Sequence, residues 1–276
     1  MADARKMRVG ILGAANIAKK NARAIRMSES CVVVAVASRD PAKAVAWIKE
    51  WAPTGVRACT YDELLADAEV DCVYVPLPTT KHVEWVTRCA QAGKHVLLEK
   101  PIAPDLAGCL AIARACRDAK RVLMDGTMFM HHERTAALRR LLDPADAPNF
   151  FGHVTRVTSA FSFRGDAAFF NNDIRCTPDG DPLGCLGDLG WYCIRLGLIA
   201  YNWTMPILAR GRATRNGSGI PIDASAELVF PPSSPGGAER VLSFHCSFSH
   251  TFRQVRRVRK RPRLRSHART HYVIPA

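Results

Sequence analysis

Residues 9–18 read Val-Gly-Ile-Leu-Gly-Ala-Ala-Asn-Ile-Ala. The apolar residues before Gly13 predict a buried strand, Gly13 predicts a tight turn, and the pattern from Ile17 onward indicates a helix. This order of elements is typical of dinucleotide binding, because unpaired amides and the helix dipole at a helix N-terminus favour a pyrophosphate. Alanines occupy the second and third glycine positions of the motif, so the turn alone is a weak signal.

The next strand indicates which dinucleotide binds. Residues 32–37 are continuously apolar, as in a strand covered on both faces, and Ser38-Arg39-Asp40 follows them. A carboxylate at this place suits the ribose hydroxyl of NAD, whereas a hydroxyl followed by arginine suits the 2′-phosphate of NADP. NADP is therefore the expected cofactor and NAD the less favoured one. Asp40 also reads as the N-cap of a helix that begins at Pro41, and Arg39 as a solvated loop cation; both can hold alongside the cofactor role.

Strand and helix patterns continue to alternate as far as residue 128, which predicts a doubly wound parallel sheet over 1–128. One of its strands ends in Leu97-Leu98-Glu99-Lys100-Pro101. Ligands bind at the carboxyl ends of the strands in such sheets, so Lys100 is placed for chemistry.

Several ordered motifs together resemble the family of glucose-fructose oxidoreductase, inositol dehydrogenase and MocA (Gfo/Idh/MocA). The likeness is greatest to its branch with dimeric dihydrodiol dehydrogenase, NADP-dependent D-xylose 1-dehydrogenase and related plant-type oxidoreductases. It covers residues 7 to about 250. The motifs are GAANIA at 13–18, VPLPTTKH at 75–82, LEKP at 98–101, MDGTM at 124–128, NDIR at 172–175 and GDLGWY at 187–192.

The resemblance implies a Rossmann domain followed by an α+β domain with an open, largely antiparallel sheet, over 129–254, which is expected to be incomplete. It implies a small sugar or diol substrate and dimer contacts, with a homodimer as the expected assembly. The residues expected to bind the cofactor are Gly13, Ala15, Asn16, Ile17, Ser38, Arg39, Leu77, Pro78, His82, Glu99 and Lys100.

Catalysis by Lys100, Asp188 and Tyr192 is likewise implied by the resemblance. A tyrosine has an ordinary pKa near ~10, and a nearby ammonium favours its phenolate, so Tyr192 could remove a proton from the substrate. Whether Lys100 or Tyr192 is the acid/base stays open. From the local sequence alone, Tyr192 reads as a packing aromatic and Asp188 as a helix cap. Arg175 faces the substrate by resemblance only.

Other features restrict the class of protein. His131, His132 and Glu133 are adjacent, so on a helix their side chains would point in different directions. The sequence indicates no further ligand, and no metal site is expected. The ten cysteines form no C-x-x-C pair and are expected to be reduced. The sequence has no run of 18 apolar residues, which argues against a membrane span and favours a cytoplasmic location.

Residues 255–276 carry eight Lys and Arg and no acidic residue, in a chain whose net charge is +14. The family pattern does not extend into this stretch, so a truncated ending and a disordered tail are expected. Aromatic residues do not interleave with the charges, which argues against nucleic acid as the partner. The alternative to a sugar oxidoreductase is a truncated, non-catalytic nucleotide-binding or interaction protein.

Overall fold

A computed structural model describes residues 5–52, 54–143 and 152–250. The chain divides into two compact units. The first contains the described residues up to Met130 together with Thr177–Pro182, and the second contains His131–Cys176 and the described residues from Leu183 onward. The basic stretch at 255–276, with its expected disorder, lies outside the described residues.

The first unit is built on a six-stranded sheet in the order β3-β2-β1-β4-β5-β6. Every pair of neighbouring strands is parallel. The carboxyl ends of all six strands therefore lie along one edge of the sheet. The strands are β1 (Met7–Leu12), β2 (Cys31–Ala37), β3 (Arg57–Cys59), β4 (Cys72–Val75), β5 (His95–Leu98) and β6 (Leu123–Asp125).

Helices cover both faces of this sheet. One apolar core joins strand residues to Leu64, Val86 and Ile112, and a separate core joins strand residues to Ala18 and Trp47. This arrangement confirms the doubly wound parallel sheet. The helices are α1 (Asn16–Arg26), α2 (Pro41–Trp51), α3 (Tyr61–Ala66), α4 (His82–Gln91) and α5 (Leu106–Asp118).

Capping side chains fix where two of these helices begin. The Asp40 carboxylate accepts a 3.0 Å hydrogen bond from the amide of Ala42, which confirms Asp40 as the N-cap of α2. Before α3, the Thr60 hydroxyl accepts from the Glu63 amide, and the Glu63 carboxylate accepts from the Thr60 amide. These caps determine how the chain leaves β2 and β3.

The second unit contains a four-stranded sheet in the order β7-β10-β9-β8. Strand β10 is parallel to β7 and antiparallel to β9, and β8 is antiparallel to β9. The predicted open, largely antiparallel sheet is confirmed. Its elements are α6 (Glu133–Leu142), β7 (Arg156–Ser162), α7 (Ala167–Asn172), α8 (Trp191–Ala200), β8 (Leu208–Arg215), β9 (Pro221–Phe230) and β10 (Arg240–Ser247).

A π-helical turn precedes the last described helix of the second unit. Leu186–Gly190 forms this turn directly before α8. Two glycines bring the helical segment close to β10, because a Cβ added at Gly197 would lie 2.6 Å from Leu242 and one at Gly190 would lie 3.2 Å from Cys246. The wider turn lets the backbone stay against the sheet, and such turns often occur at functional sites.

All ten cysteines are free thiols, and each is buried or half-buried. Seven of them are buried, where a free cysteine packs as a small apolar side chain. Within the described residues, no helix is long and apolar enough to cross a bilayer.

A buried hydrogen bond joins β4 to the residue that follows β5. Tyr74 is completely buried, and its hydroxyl donates to the carboxylate of Glu99 across 2.6 Å. Burial, and then the charge of Glu99, raise the pKa of Tyr74, so the phenol keeps its proton and remains the donor. The amide group of Asn21 on α1 lies 3.5 Å from the same carboxylate oxygen. Three elements thus converge on one buried acidic side chain.

We predict that Tyr74→Phe destabilises the protein by about 1.5–3 kcal/mol, because the buried carboxylate loses a charge-assisted donor. Glu99→Gln is the matched partner variant, because a neutral side-chain amide is stabilised less than a carboxylate by the hydrogen bond from the Tyr74 hydroxyl. The double variant should therefore lose less stability than the sum of the two single variants. Chemical denaturation of all four proteins measures this coupling, and strictly additive losses would contradict it.

Candidate active site

The glycine turn follows β1 and, together with the start of α1, carries four of the residues predicted to bind the cofactor. Gly13 has a φ of +124°, and its amide donates to the carbonyl of Ala37 across 3.0 Å. A Cβ added here would lie 3.1 Å from Leu77, so a side chain would fill the space beside the turn. The turn therefore suits a ligand that must approach the backbone closely.

Helix α1 begins directly beyond this turn. Ala15 is its N-cap residue and provides no side-chain cap. No side-chain cap therefore occupies the amides at the start of α1, although the Ala18 amide donates to the carbonyl of Ala15 across 3.2 Å. Asn16 is exposed at the start of the helix, and Ile17 is half-buried. These residues fit the pyrophosphate of a dinucleotide, although a methyl group stands where the motif usually has its second glycine.

The residues after β2 present one buried and one exposed side chain. Ser38 is buried, and its hydroxyl accepts from the amide of Asp40 across 3.2 Å. Arg39 is exposed. The Arg39 guanidinium lies near the phenol of Tyr61, the first residue of α3, and its charge opposes the rise that burial causes in the pKa of Tyr61. The structure thus places Arg39, the residue predicted to bind the 2′-phosphate, beside Tyr61, which the sequence analysis did not single out.

His82 lies inside the first unit. Its ring is fully buried: Nε2 is 2.8 Å from the carbonyl oxygen of Leu77, and Nδ1 is 3.0 Å from that of Pro101 and 3.1 Å from that of Ile102. Burial lowers the pKa of His82. The neutral ring has one N–H and donates from one nitrogen only, while it packs between the loop after β4 and the segment after β5. Its cofactor contact stays a prediction. Leu77 and the neighbouring Pro78 are half-buried.

Lys100 stands between two anchored neighbours. On one side, Glu99 is held by Tyr74, and its amide donates to the carbonyl of Val75 across 3.2 Å. On the other side, the carbonyl of Pro101 faces the ring of His82. The backbone that carries Lys100 is therefore fixed at both ends, while its half-buried side chain lies beyond the carboxyl end of β5.

The other two predicted catalytic residues belong to the second unit. Asp188 lies in the π-helical turn and Tyr192 in the first turn of α8. The structure does not use Asp188 as a helix cap: its carboxylate accepts from Nη1 of Arg175 across 3.2 Å. The half-buried ring of Tyr192 meets Phe161 edge to face, with centroids 5.5 Å apart.

A second carboxylate holds Arg175 in place. Asp173 accepts from Nε at 2.8 Å and from Nη2 at 2.9 Å of the same guanidinium. The hydrogen bonds to Asp173, and then the charges of Asp188 and Asp173, raise the pKa of Arg175. Arg175 is therefore a permanent cation that positions Asp188.

Sequence reasoning missed Asn21, Tyr61, Tyr74 and Asp173. Two of them left a signal: Tyr74 is the one side chain with a hydroxyl in the apolar strand Cys72–Val75, and Asp173 stands two positions before Arg175. Asn21 and Tyr61 owe their positions to tertiary contacts. His131–Glu133 also has a structural role, because Nδ1 of His132 accepts from the Arg134 amide and caps α6.

A cavity of about 370 Å³ lies elsewhere in the second unit, between the C-terminal ends of α6 and α8. None of the residues predicted for the active site lines it. The cavity is lined by Ala136, Arg139, Arg140, Leu142, Asp143, Ile199, Ala200, Asn202 and Trp203.

Comparison with known proteins identifies relatives of both units. The model of the Gfo/Idh/MocA oxidoreductase family, NAD-binding Rossmann fold, matches residues 7–127. A dTDP-3,4-didehydro-2,6-dideoxy-alpha-D-glucose 3-reductase of Streptomyces violaceoruber is 31% identical over 252 residues, which are 90% of this chain and 70% of that protein. The D-xylose 1-dehydrogenase (NADP(+)) 2 of Haloferax volcanii is 37% identical over 190 residues, or 68% of this chain and 55% of that protein.

A solved structure resembles the chain over a similar length. The 3-ketoreductase of Actinomadura kijaniata, in complex with NADP and TDP-benzene, superposes with a TM-score of 0.73 and 27% sequence identity. The match covers 88% of this chain and 71% of that one. Together with the glycine turn and the lysine beyond β5, these relatives show that the chain belongs to the Gfo/Idh/MocA family of oxidoreductases.

Proposed function

We propose that the protein is an NADP-dependent oxidoreductase that transfers a hydride between the nicotinamide and a hydroxyl-bearing carbon of a sugar such as D-xylose, or of a trans-dihydrodiol. The observation that carries the proposal is the position of Lys100 and the glycine turn at the same edge of one parallel sheet. Relatives that act on sugars, one of them a D-xylose dehydrogenase that uses NADP, support the substrate class.

NADP is the proposed cofactor because its 2′-phosphate matches the residues after β2. The exposed guanidinium of Arg39 can donate two parallel hydrogen bonds to a phosphate. The first-turn amides of α1 would hold the pyrophosphate. The residues proposed to hold the cofactor are Gly13, Ala15, Asn16, Ile17, Ser38, Arg39, Leu77, Pro78, His82, Glu99 and Lys100.

Lys100, Tyr192 and Asp188 are the proposed catalytic residues. The bound cofactor would supply the hydride acceptor. Tyr192 removes the proton from the substrate hydroxyl as the C–H bond breaks, and Lys100 stabilises the negative charge that develops on that oxygen. Asp188, held by Arg175, contributes a fixed carboxylate. In the alternative mechanism, Lys100 rather than Tyr192 is the acid/base.

Two alternative functions can be distinguished from this proposal by experiment. The relatives that act on dTDP-sugars favour a sugar-nucleotide 3-ketoreductase as a second candidate, because one of them aligns with 90% of this chain. A non-catalytic nucleotide-binding protein would bind NADPH without turnover. The plant-type subdivision, a homodimer and a cytoplasmic location are retained as predictions.

The cofactor assignment predicts that Arg39→Asp weakens NADPH binding by about a hundredfold, because a charge-assisted contact worth about 1.5–3 kcal/mol becomes a repulsion. NADH lacks the phosphate, so its affinity should change by no more than about twofold. Quenching of tryptophan fluorescence measures both dissociation constants. Arg114→Asp, on the exposed face of α5, controls for the change in net charge. Equal losses for the two cofactors in Arg39→Asp would show that Arg39 is structural.

The catalytic assignment predicts that Lys100→Met and Tyr192→Phe each lower kcat by about a hundredfold or more, because each removes a group that acts in the transition state. NADPH binding should remain close to that of the native protein. Turnover is measured with NADP and a panel of aldoses, trans-dihydrodiols and dTDP-sugars. Tyr201→Phe is the control for removal of a hydroxyl, since the Tyr201 hydroxyl donates to a backbone carbonyl. Near-native turnover in either catalytic variant would refute its role.

A further inference from the structure

Tyr61 occupies a position beside the proposed cofactor site that its sequence neighbours do not explain. It follows β3 and begins α3, and the capping box of Thr60 and Glu63 fixes the backbone at this point. Strands β2 and β3 are parallel, with Ala37 opposite Cys59. The residues that follow the two strands, Arg39 and Tyr61, are consequently brought together at the carboxyl edge of the sheet.

Packing restricts where the phenol of Tyr61 can go. Its half-buried ring meets Trp85 of α4 edge to face, with centroids 4.8 Å apart and an interplanar angle of 80°. Its hydroxyl oxygen lies 3.7 Å from the position that a Cβ on Gly13 would occupy. Leu77 lies 3.1 Å from that same position. The phenol oxygen therefore borders the glycine turn.

The phenol also faces a cation. Burial raises the pKa of Tyr61, while the charge and the hydrogen bond of Arg39 partly oppose this rise. The phenol is therefore protonated at neutral pH, and its oxygen lies close enough to the guanidinium to act as an acceptor for it. An exposed arginine otherwise loses up to about 2 kcal/mol of rotamer freedom when a ligand fixes it. A preorganised guanidinium avoids part of that loss.

We infer that Tyr61 is a specificity-determining residue for the cofactor: its phenol oxygen holds the Arg39 guanidinium in the orientation that receives a 2′-phosphate. A guanidinium has five N–H donors, so one bond to the phenol leaves enough for a bidentate contact with phosphate. NAD carries a neutral hydroxyl at the ribose 2′ position, so a fixed orientation of the Arg39 guanidinium should add little to its binding affinity. The inference rests on the proposed function, since it assumes that the first unit binds NADP.

The decisive variant is Tyr61→Phe, which keeps the ring against Trp85 and removes only the oxygen. Isothermal titration calorimetry with NADPH and with NADH measures cofactor affinity without requiring turnover. We expect NADPH to bind about tenfold more weakly, equivalent to about 1.4 kcal/mol, and NADH to change by no more than about twofold. Thermal unfolding of the variant checks that the fold is retained.

A double-mutant cycle separates orientation of Arg39 from direct contact with the cofactor. In the Arg39→Ala background, Tyr61→Phe should leave the ratio of NADPH to NADH affinity unchanged, because no guanidinium is left to orient. Tyr201→Phe is the matched control and should leave the ratio unchanged in the native background. An unchanged ratio in Tyr61→Phe, equal losses for both cofactors, or an effect that persists without Arg39 would each overturn the inference. If the native protein bound neither cofactor, the proposed function itself would fail.

Discussion

The parallel pairing of β1 with both β2 and β4 is the constraint on which the first unit depends. It places the carboxyl ends of all six strands at one edge of the sheet, so every loop that follows a strand opens on the same side. The chain leaves β1 toward β2 and β3, and later returns to the other side of β1 for β4 and β5. The glycine turn lies where these two halves of the sheet meet.

The neighbours of Lys100 give this edge its rigidity. A buried carboxylate is costly unless polar groups satisfy it, and Glu99 receives the Tyr74 hydroxyl from within the sheet. The segment after Lys100 packs against the buried ring of His82, whose Nδ1 lies 3.0 Å from the carbonyl oxygen of Pro101. The two anchors hold the residues on either side of Lys100, at the carboxyl end of β5. A site of this kind needs its supporting groups as much as its reactive one.

Local signals in the sequence were sufficient for the fold of the first unit. Continuous apolar strands, the glycine turn and the Asp40 cap depend on residues close to one another in the chain, so each could be predicted without a structure. The open sheet of the second unit was expected from the family resemblance. The π-helical turn at Asp188 was not, because it depends on how closely Gly190 and Gly197 approach β10.

Side-chain partners were harder to predict than strands. The hydrogen bond between Tyr74 and Glu99 spans 25 positions, and Tyr61 reaches Arg39 only after two strands have paired. Apolar periodicity contains no information about such pairs. The contacts of the buried His82 ring with backbone carbonyls could not be predicted either, and its contact with the cofactor stays a prediction. The sequence was thus sufficient to predict that the cofactor binds at the carboxyl edge of the parallel sheet. The side-chain contacts of Tyr61, Tyr74 and His82 at this edge could be identified only from the structure.

The central claim is that this chain moves a hydride from a sugar carbon to NADP. The most direct measurement is to incubate the protein with NADP and D-xylose deuterated at C1, and to determine by mass spectrometry whether deuterium enters the reduced cofactor. The account predicts labelled reduced cofactor with the native protein and its loss in Lys100→Met. Tight binding of NADPH without any transfer of label, from D-xylose or from correspondingly labelled dihydrodiols and other aldoses, would contradict it.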